Sequence, residues 1–396
     1  MNDIYKPAHS ATRAAHREIA GSLPFSDRQD FEDATRGLVA PAPRKLTNAQ
    51  GRLVWDTEIY AFVDDHETAP DTVNPSLWRQ AQLNMIAGLF QVTDRVYQVR
   101  GLDLSNMTII EGDSGLIIID PVTSIETGKA CIDLYFEHRP KRPVIAVIYS
   151  HSHPDHYGGV KGVISEEDVA SGKTRVLAPD GFIEAIEDEN VLSGNATYRR
   201  AQYQFGTLLQ PSLTGAVDAG LGKTVTRGAR SLIAPTQLIV DKTETHVIDG
   251  VEIEFYMAPD SEAPAEMHMF FPKLRVLNMA ENVTHNLHNF LPLRGSVVRD
   301  PLVWSKYIGD AIDLYADKAD VLIAQHHWPT WGQDRVIDLL SKHRDLYKFI
   351  HDQTLRGINR GLKPGEVAEA LKLPAELASE WSCRDYYGAL KHNAKA

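Results

Sequence analysis

Apolar positions along the chain fall into distinct regimes. Over residues 1–82 they are sparse and, outside 11–21, without a period, set among Pro, Asp and Thr in LVAPAPRKLTNAQGRLVWD and DDHETAPDTVNPSLWRQAQL. That density of turn formers predicts an N-terminal arm wrapped on a larger body. From Val96 the pattern changes to short β-branched runs, VYQV, MTIIEG, GLIIID and VIAVIYS. The last two are nearly continuous in Val and Ile, as strands buried on both faces are. Residues 125–139 between them have helical spacing, and strand, helix, strand marks an α/β fold.

Beyond Ser150 the chain is less regular. Helical pieces are expected at GFIEAIEDEN and over 196–209, followed by a Gly-rich loop over 215–228. HVIDGVEIEFYM reads as two strands joined by an Asp249-Gly250 turn. RVLNMA and DVLIAQH read as short buried strands, with an amphipathic helix over 304–317 between them. Over 334–360 the spacing of Val336, Leu339, Leu340, Leu346, Phe349, Ile350, Leu355 and Ile358 is helical, and Gly361 and Pro364 end it. Two short helices are expected after that. There is no internal repeat and no low-complexity tract.

Composition narrows the class. A chain of 396 residues, 43% hydrophobic and 24% charged, is globular rather than disordered or fibrous. Its net charge of −12, without long blocks of one sign, argues against a nucleic-acid partner. Cys131 and Cys383 are too few and too far apart for a disulfide framework or a thiolate zinc site, and read as buried small hydrophobes. No run of 18 uncharged apolar residues predicts a transmembrane segment, and the first residues lack an apolar signal core. The chain as written is expected to be cytoplasmic, or periplasmic or secreted if a signal has been removed.

The candidate chemistry lies after VIYS, in His151-Ser152-His153-Pro154-Asp155-His156-Tyr157-Gly158-Gly159. His151 and His153, two apart at the end of an extended run, project to one side, and the next turn brings Asp155 and His156 to a second position. Imidazole and carboxylate donors without thiolate suit Zn²⁺, with Mn²⁺ or Fe²⁺ as alternatives. A two-metal site needs more donors, and later strand ends offer Glu262, Glu281 and His326, with Glu266, His268 and His327 as competitors. Asp120, ending GLIIID, is placed to fix an imidazole tautomer if its strand neighbours the His151 loop. His285 and His288 are expected to orient ligands or serve structure, with proton donation to a leaving group as the alternative.

The HxHxDH loop resembles the metallo-β-lactamase superfamily. SEAPAEMHMFFP, MAENVTHNLHNFLPLRGSVVRDPLVW, QHHWPTWG and RDLYKFIHDQTLRGIN are more narrowly similar to its alkyl sulfatase branch, from about residue 83 onward. The resemblance implies an α/β, αββα sandwich with a dinuclear zinc site and hydrolysis of alkyl sulfate esters. It implies that His151, His153 and Glu262 hold one Zn²⁺, that Asp155, His156 and His326 hold the other, and that Glu281 bridges them. It points to Asn289 and Arg294 as the sulfate contacts.

The expected organisation is an arm (1–82), a catalytic body (83–345) and a C-terminal helical segment (346–396). Such enzymes continue into a dimerisation domain and a lipid-carrier-like domain, so the helices after about Glu366 are expected to open the former. A homodimer is expected only if the remaining C-terminal region is present. The rival readings are the same fold acting on a β-lactam, lactone, thioester or phosphodiester, and a non-catalytic metal-binding or assembly protein.

Overall fold

The computed structural model describes residues 6–396. In chain order the strands are β1 (Leu38–Pro41), β2 (Lys45–Thr47), β3 (Leu53–Asp56), β4 (Gly88–Thr93), β5 (Val96–Arg100), β6 (Met107–Glu111), β7 (Leu116–Ile119) and β8 (Val144–Ile148). They continue as β9 (Arg175–Pro179), β10 (Gln237–Ile239), β11 (Thr243–Ile248), β12 (Val251–Met257), β13 (Met267–Phe271), β14 (Val276–Asn278), β15 (Val321–Ile323) and β16 (Thr330–Trp331). One sheet has the order β1-β4-β5-β6-β7-β8-β9-β10, the second β11-β12-β13-β14-β15-β16, and β2 and β3 pair separately.

Period-two alternation explains the layering. Along β7, Ile117 and Ile119 point into the space between the sheets with Ile148, Phe255, Met269 and Ile323. Leu116 and Ile118 point the other way, onto Cys131, Ile132 and Tyr135 of the helix Ile125–His138. Both faces are covered, which is why β7 and β8 need an unbroken apolar run. On the outer face of the second sheet, Phe270, Leu277 and Leu322 pack on the helices Pro301–Ala311 and Gln333–Asn359 through Trp304, Ile308, Leu340 and Tyr347. The result is the helix-sheet-sheet-helix arrangement expected. Both cysteines are free and buried, and no described helix is long and apolar enough to cross a membrane.

Two details depart from the sequence reading. The N-terminal arm also contributes β1, antiparallel to β4, to the main sheet. Pro41 hides that strand in the sequence, and its place at the sheet edge is where a proline is tolerated. The helix Gln333–Asn359 runs unbroken through residue 345 and buries Leu339, Leu340, Leu346 and Ile350 in one cluster, so the expected boundary falls inside a single element.

The Asp249-Gly250 turn does more than reverse the chain. Both residues have positive φ (46° and 78°), as the tight hairpin between β11 and β12 requires. The Asp249 carboxylate accepts from Ser114 N (2.9 Å), Ser114 Oγ (2.7 Å) and Gly115 N (2.7 Å), joining the hairpin to the β6–β7 turn of the other sheet. Burial acts to raise its pKa, but the Ser114 and Gly115 hydrogen bonds outweigh it and hold the group below the usual carboxylate range. A depressed folded pKa stabilises above the unfolded value of about 4, and that contribution is lost as pH falls through the folded value. Asp249→Ala is therefore expected to lose about 2 kcal/mol in urea unfolding near neutral pH, and the gap from wild type should narrow in acid.

Candidate metal centre

The cluster gathers at strand exits along one edge shared by the two sheets. Asp120 follows β7, the His151–His156 loop follows β8, Glu281 follows β14 and His326 follows β15, while Glu262 lies in the loop from β12 to β13. The loop after β8 is pressed against its neighbours: a Cβ on Gly158 would lie 2.2 Å from the Thr123 carbonyl oxygen, and one on Gly159 2.1 Å from that of Pro121. Only glycine permits that approach. Asp120, Ala280 and His327 have left-handed backbones (φ 53°, 51° and 64°), each beside a strand end that turns sharply into the site.

Two donor groups share one member. His151, His153, Glu262 and Glu281 form the first, Asp155, His156, Glu281 and His326 the second, with the donor atoms of each group all within 4.8 Å of one another. Glu281 Oε2 is 3.3 Å from Nε2 of His151 and of His156 and 3.2 Å from Nε2 of His326. His153 approaches through its other nitrogen, Nδ1 lying 2.9 Å from Glu262 Oε2.

The surrounding hydrogen bonds fix which imidazole nitrogens carry protons. His156 Nδ1 is 2.8 Å from Asp120 Oδ2, and His326 Nδ1 is 3.1 Å from the Leu104 carbonyl; both neighbours only accept, so both Nδ1 atoms donate. Ser150 Oγ donates to Asp120 Oδ2 (2.5 Å), which leaves it to accept from His151 Nδ1 at 3.0 Å. In the neutral, metal-binding form each Nε2 would then turn a lone pair inward. Those three Nε2 atoms are buried without a hydrogen-bond partner among the described residues, and Glu262 Oε2 beside them meets only imidazole nitrogens. Buried polar atoms are almost always satisfied, so a convergent unsatisfied set of imidazole and carboxylate donors fits a bound cation.

In the metal-free chain burial opposes the charged forms of His156 and His326, but the surrounding carboxylates outweigh it and hold both above the ordinary imidazole value, so a cation must displace their protons. Burial, with His156 nearby, pushes His151 down to about 4, so it is neutral and free to bind a metal at ordinary pH. Burial opposes ionisation of Asp155, yet His156 and His326 hold it well below the carboxylate range. Burial likewise opposes ionisation of Glu262, and Arg299 outweighs it.

The structure sorts the remaining candidates. Glu266 stands outside both donor groups: its carboxylate accepts from the backbone N–H of Glu262 (3.1 Å), Ala263 (3.0 Å) and Glu281 (3.2 Å), tying the two glutamate loops together. His268 stacks on Tyr256. His327 is bound to the Gly220 carbonyl at 2.9 Å. His285 is not brought to the cluster, because its Nε2 meets the Trp328 carbonyl (3.1 Å) and its ring stacks on Trp328. His288 does reach the site. Arg299 Nη1 lies 3.0 Å from His288 Nδ1 and can only donate, so the His288 proton sits on Nε2, 2.8 Å from Glu281 Oε1. Both its nitrogens are engaged, one by Arg299 and one by Glu281.

Arg294 lines a cavity of about 620 Å³ that reaches Asp155. Asn289 instead gives its Oδ1 to Arg299 Nη1 (2.6 Å), so only its amide NH₂ is free for other partners.

Arg299, Glu189 and Tyr387 are the residues sequence reasoning missed. Arg299 pairs with Glu262 Oε1 and also donates to the Asn289 carbonyl (2.9 Å). Its signal was its place in RGSVVRDP, immediately before the Asp300 N-cap of the helix Pro301–Ala311. Glu189 Oε2 lies 3.6 Å from both His153 Nε2 and Arg294 Nη2. Tyr387 packs edge-on against His288 at 4.9 Å and accepts from Gln204 Nε2 (2.6 Å). Asn393 holds the same loop, donating to the His288 carbonyl (2.8 Å) and accepting from Phe290 N (3.0 Å).

Comparison with known proteins agrees with this geometry. The profile of the metallo-beta-lactamase superfamily matches residues 100–326, and that of alkyl sulfatase dimerisation matches 363–396. The chain belongs to the metallo-β-lactamase superfamily. Over 392 residues, 99% of its length, it is 55% identical to the alkyl/aryl-sulfatase BDS1 of Saccharomyces cerevisiae. Over the same length it is 52% identical to a linear primary-alkylsulfatase of Pseudomonas sp.. The chain spans 60% and 58% of those two relatives. The solved structure of the stereoselective inverting sec-alkylsulfatase Pisa1 from Pseudomonas sp. superposes with a TM-score of 0.96 at 50% identity, over 99% of this chain and 62% of that one.

Proposed function

We propose that the chain is a dinuclear zinc hydrolase that cleaves alkyl sulfate esters to an alcohol and inorganic sulfate. The observation that carries this reading is the cavity that joins Arg294 and Asp155 to an apolar wall of Ile186, Val191, Tyr198, Phe205 and Leu232. A guanidinium beside a cation-binding cluster, followed by hydrocarbon-lined space, suits an anionic head with an alkyl tail. The alkylsulfatase names of the relatives support the same substrate class.

In this reading His151, His153 and Glu262 hold one cation, Asp155, His156 and His326 the other, and Glu281 both. When bound, a pair of Zn²⁺ ions supplies Lewis-acid polarisation of the ester and a hydroxide nucleophile at neutral pH. Asp120 and the Leu104 carbonyl keep the His156 and His326 lone pairs on the inward nitrogen. Arg294 offers the sulfate group a bidentate fork, and the Asn289 amide a further donor. Two divalent cations against Asp155, Glu262 and Glu281 would leave one positive charge, which the hydroxide brings near neutral, so an anionic ester is not repelled and Arg294 supplies the local attraction although the whole chain carries −12. The match of residues 363–396 to a dimerisation profile supports a homodimer as the working assembly.

Metal analysis with sulfate release from dodecyl sulfate and 2-octyl sulfate tests the reading. Activity is expected to fall at least about a hundredfold on chelation and to return with Zn²⁺. A protein that binds no transition metal, or that turns over nitrocefin or a lactone but no sulfate ester, overturns it. Turnover in ¹⁸O-water decides the bond broken: label in the alcohol means C–O cleavage, label in sulfate S–O cleavage.

A further inference from the structure

Glu189 has no part in the donor groups, yet it is buried against them. It sits in a π-helical turn, Glu187–Leu192, between the helices Phe182–Ile186 and Gly194–Gln204. Such turns are rare and concentrate at functional sites. Its Oε2 is 3.6 Å from Arg294 Nη2 and 3.6 Å from His153 Nε2, the nitrogen that faces away from Glu262. Glu189 Oε1, Asn190 Nδ2 and Arg294 Nε are all buried without a hydrogen-bond partner among the described residues. Asn190 and Arg294 line the cavity that reaches Asp155. A carboxylate therefore stands beside the guanidinium assigned to the substrate's sulfate group.

An acidic side chain there weakens anion binding, and the physical question is which anion it weakens most. A sulfate ester carries one negative charge and the sulfate product carries two. Repulsion from a fixed carboxylate is proportional to the charge it meets, so its free-energy penalty on sulfate is about twice that on the ester. The geometry points to Glu189 as a charge filter, a specificity-determining residue whose carboxylate lets the anion site accept a singly charged sulfate ester and expel the doubly charged sulfate that hydrolysis leaves. The inference rests on the sulfate-ester reading above and adds a means of product release to it.

The doubling gives a test that loss of structure does not imitate. Removing the carboxylate should tighten the two anions unequally, the factor for sulfate being about the square of the factor for a monoanion. In Glu189→Gln, calorimetric titration of the zinc-loaded protein is expected to show methyl sulfate binding about threefold tighter and inorganic sulfate about tenfold tighter. The KM for hexyl sulfate should fall with the methyl sulfate value, and inhibition of turnover by added sulfate should strengthen by the larger, sulfate factor. Glu189→Asp should restore the wild-type ratio. Equal shifts for the two anions, or sulfate no tighter than in wild type, overturn the filter. Should Glu189→Gln not fold, Glu189→Ala decides by the same ratio of shifts, and equal shifts for the two anions there overturn the filter. A wild-type protein that hydrolyses no sulfate ester and binds neither anion removes the underlying reading, whereas an active enzyme with equal shifts removes the filter alone.

Discussion

Glu281→Gln is expected to lose at least about a thousandfold in sulfate-ester turnover and to retain fewer than two equivalents of metal after dialysis. The amide is nearly isosteric, so the effect is one of hydrogen-bond polarity rather than shape. Oε2 of Glu281 faces three Nε2 lone pairs at 3.2–3.3 Å. Oε1 faces His288 Nε2 at 2.8 Å, and Arg299 forces that nitrogen to carry the proton. A glutamine must put its NH₂ at one of these positions. Placed inward, it faces the cations; placed outward, it sets donor against donor. Metal analysis and a sulfate-release assay check the prediction, and a variant that keeps both metals and most of its activity refutes the assignment of Glu281 as the shared ligand.

Arg299→Leu should be the most destabilising single change near the site, by about 3–5 kcal/mol in the metal-free protein. Arg299 is buried and pairs with Glu262 while also serving His288 Nδ1 and the Asn289 carbonyl. Its removal strands a buried carboxylate and three acceptors at once, the Asn289 Oδ1 being the third. Because zinc at Glu262 would supply compensating charge, adding zinc should recover part of the loss. Thermal melts with and without zinc check both halves, and a variant as stable as wild type without metal refutes the role. Arg299→Lys keeps the charge but not the fork, and should fall between the two.

What the sequence made legible follows from which signals are local. β7 and β8 are readable because both faces are buried, which leaves an unbroken apolar run, and the His151–His156 loop because four donors crowd into six residues. Glu262, Glu281 and His326 are each one ordinary residue after a strand, so spacing alone could not separate them from Glu266, His268 and His327. The resemblance to a known family did so, and the fold places the three in the two donor groups while Glu266 anchors backbone N–H groups instead. His285 and His288, three apart in one loop, could not be ranked without knowing that the first stacks on Trp328. Arg299 and Glu189 were invisible for a common reason: their importance lies in contacts made across the fold, on residues 37 and 36 positions distant, Glu262 and His153 respectively.

The loop carrying Tyr387 and Asn393 lies within the segment that matches the dimerisation profile, yet it is clamped to the backbone of His288. Gly388 passes so close that a Cβ there would sit 2.2 Å from the His288 carbonyl oxygen. His288 in turn holds Glu281. Any displacement of this C-terminal segment is therefore carried through one histidine to the carboxylate that both donor groups share.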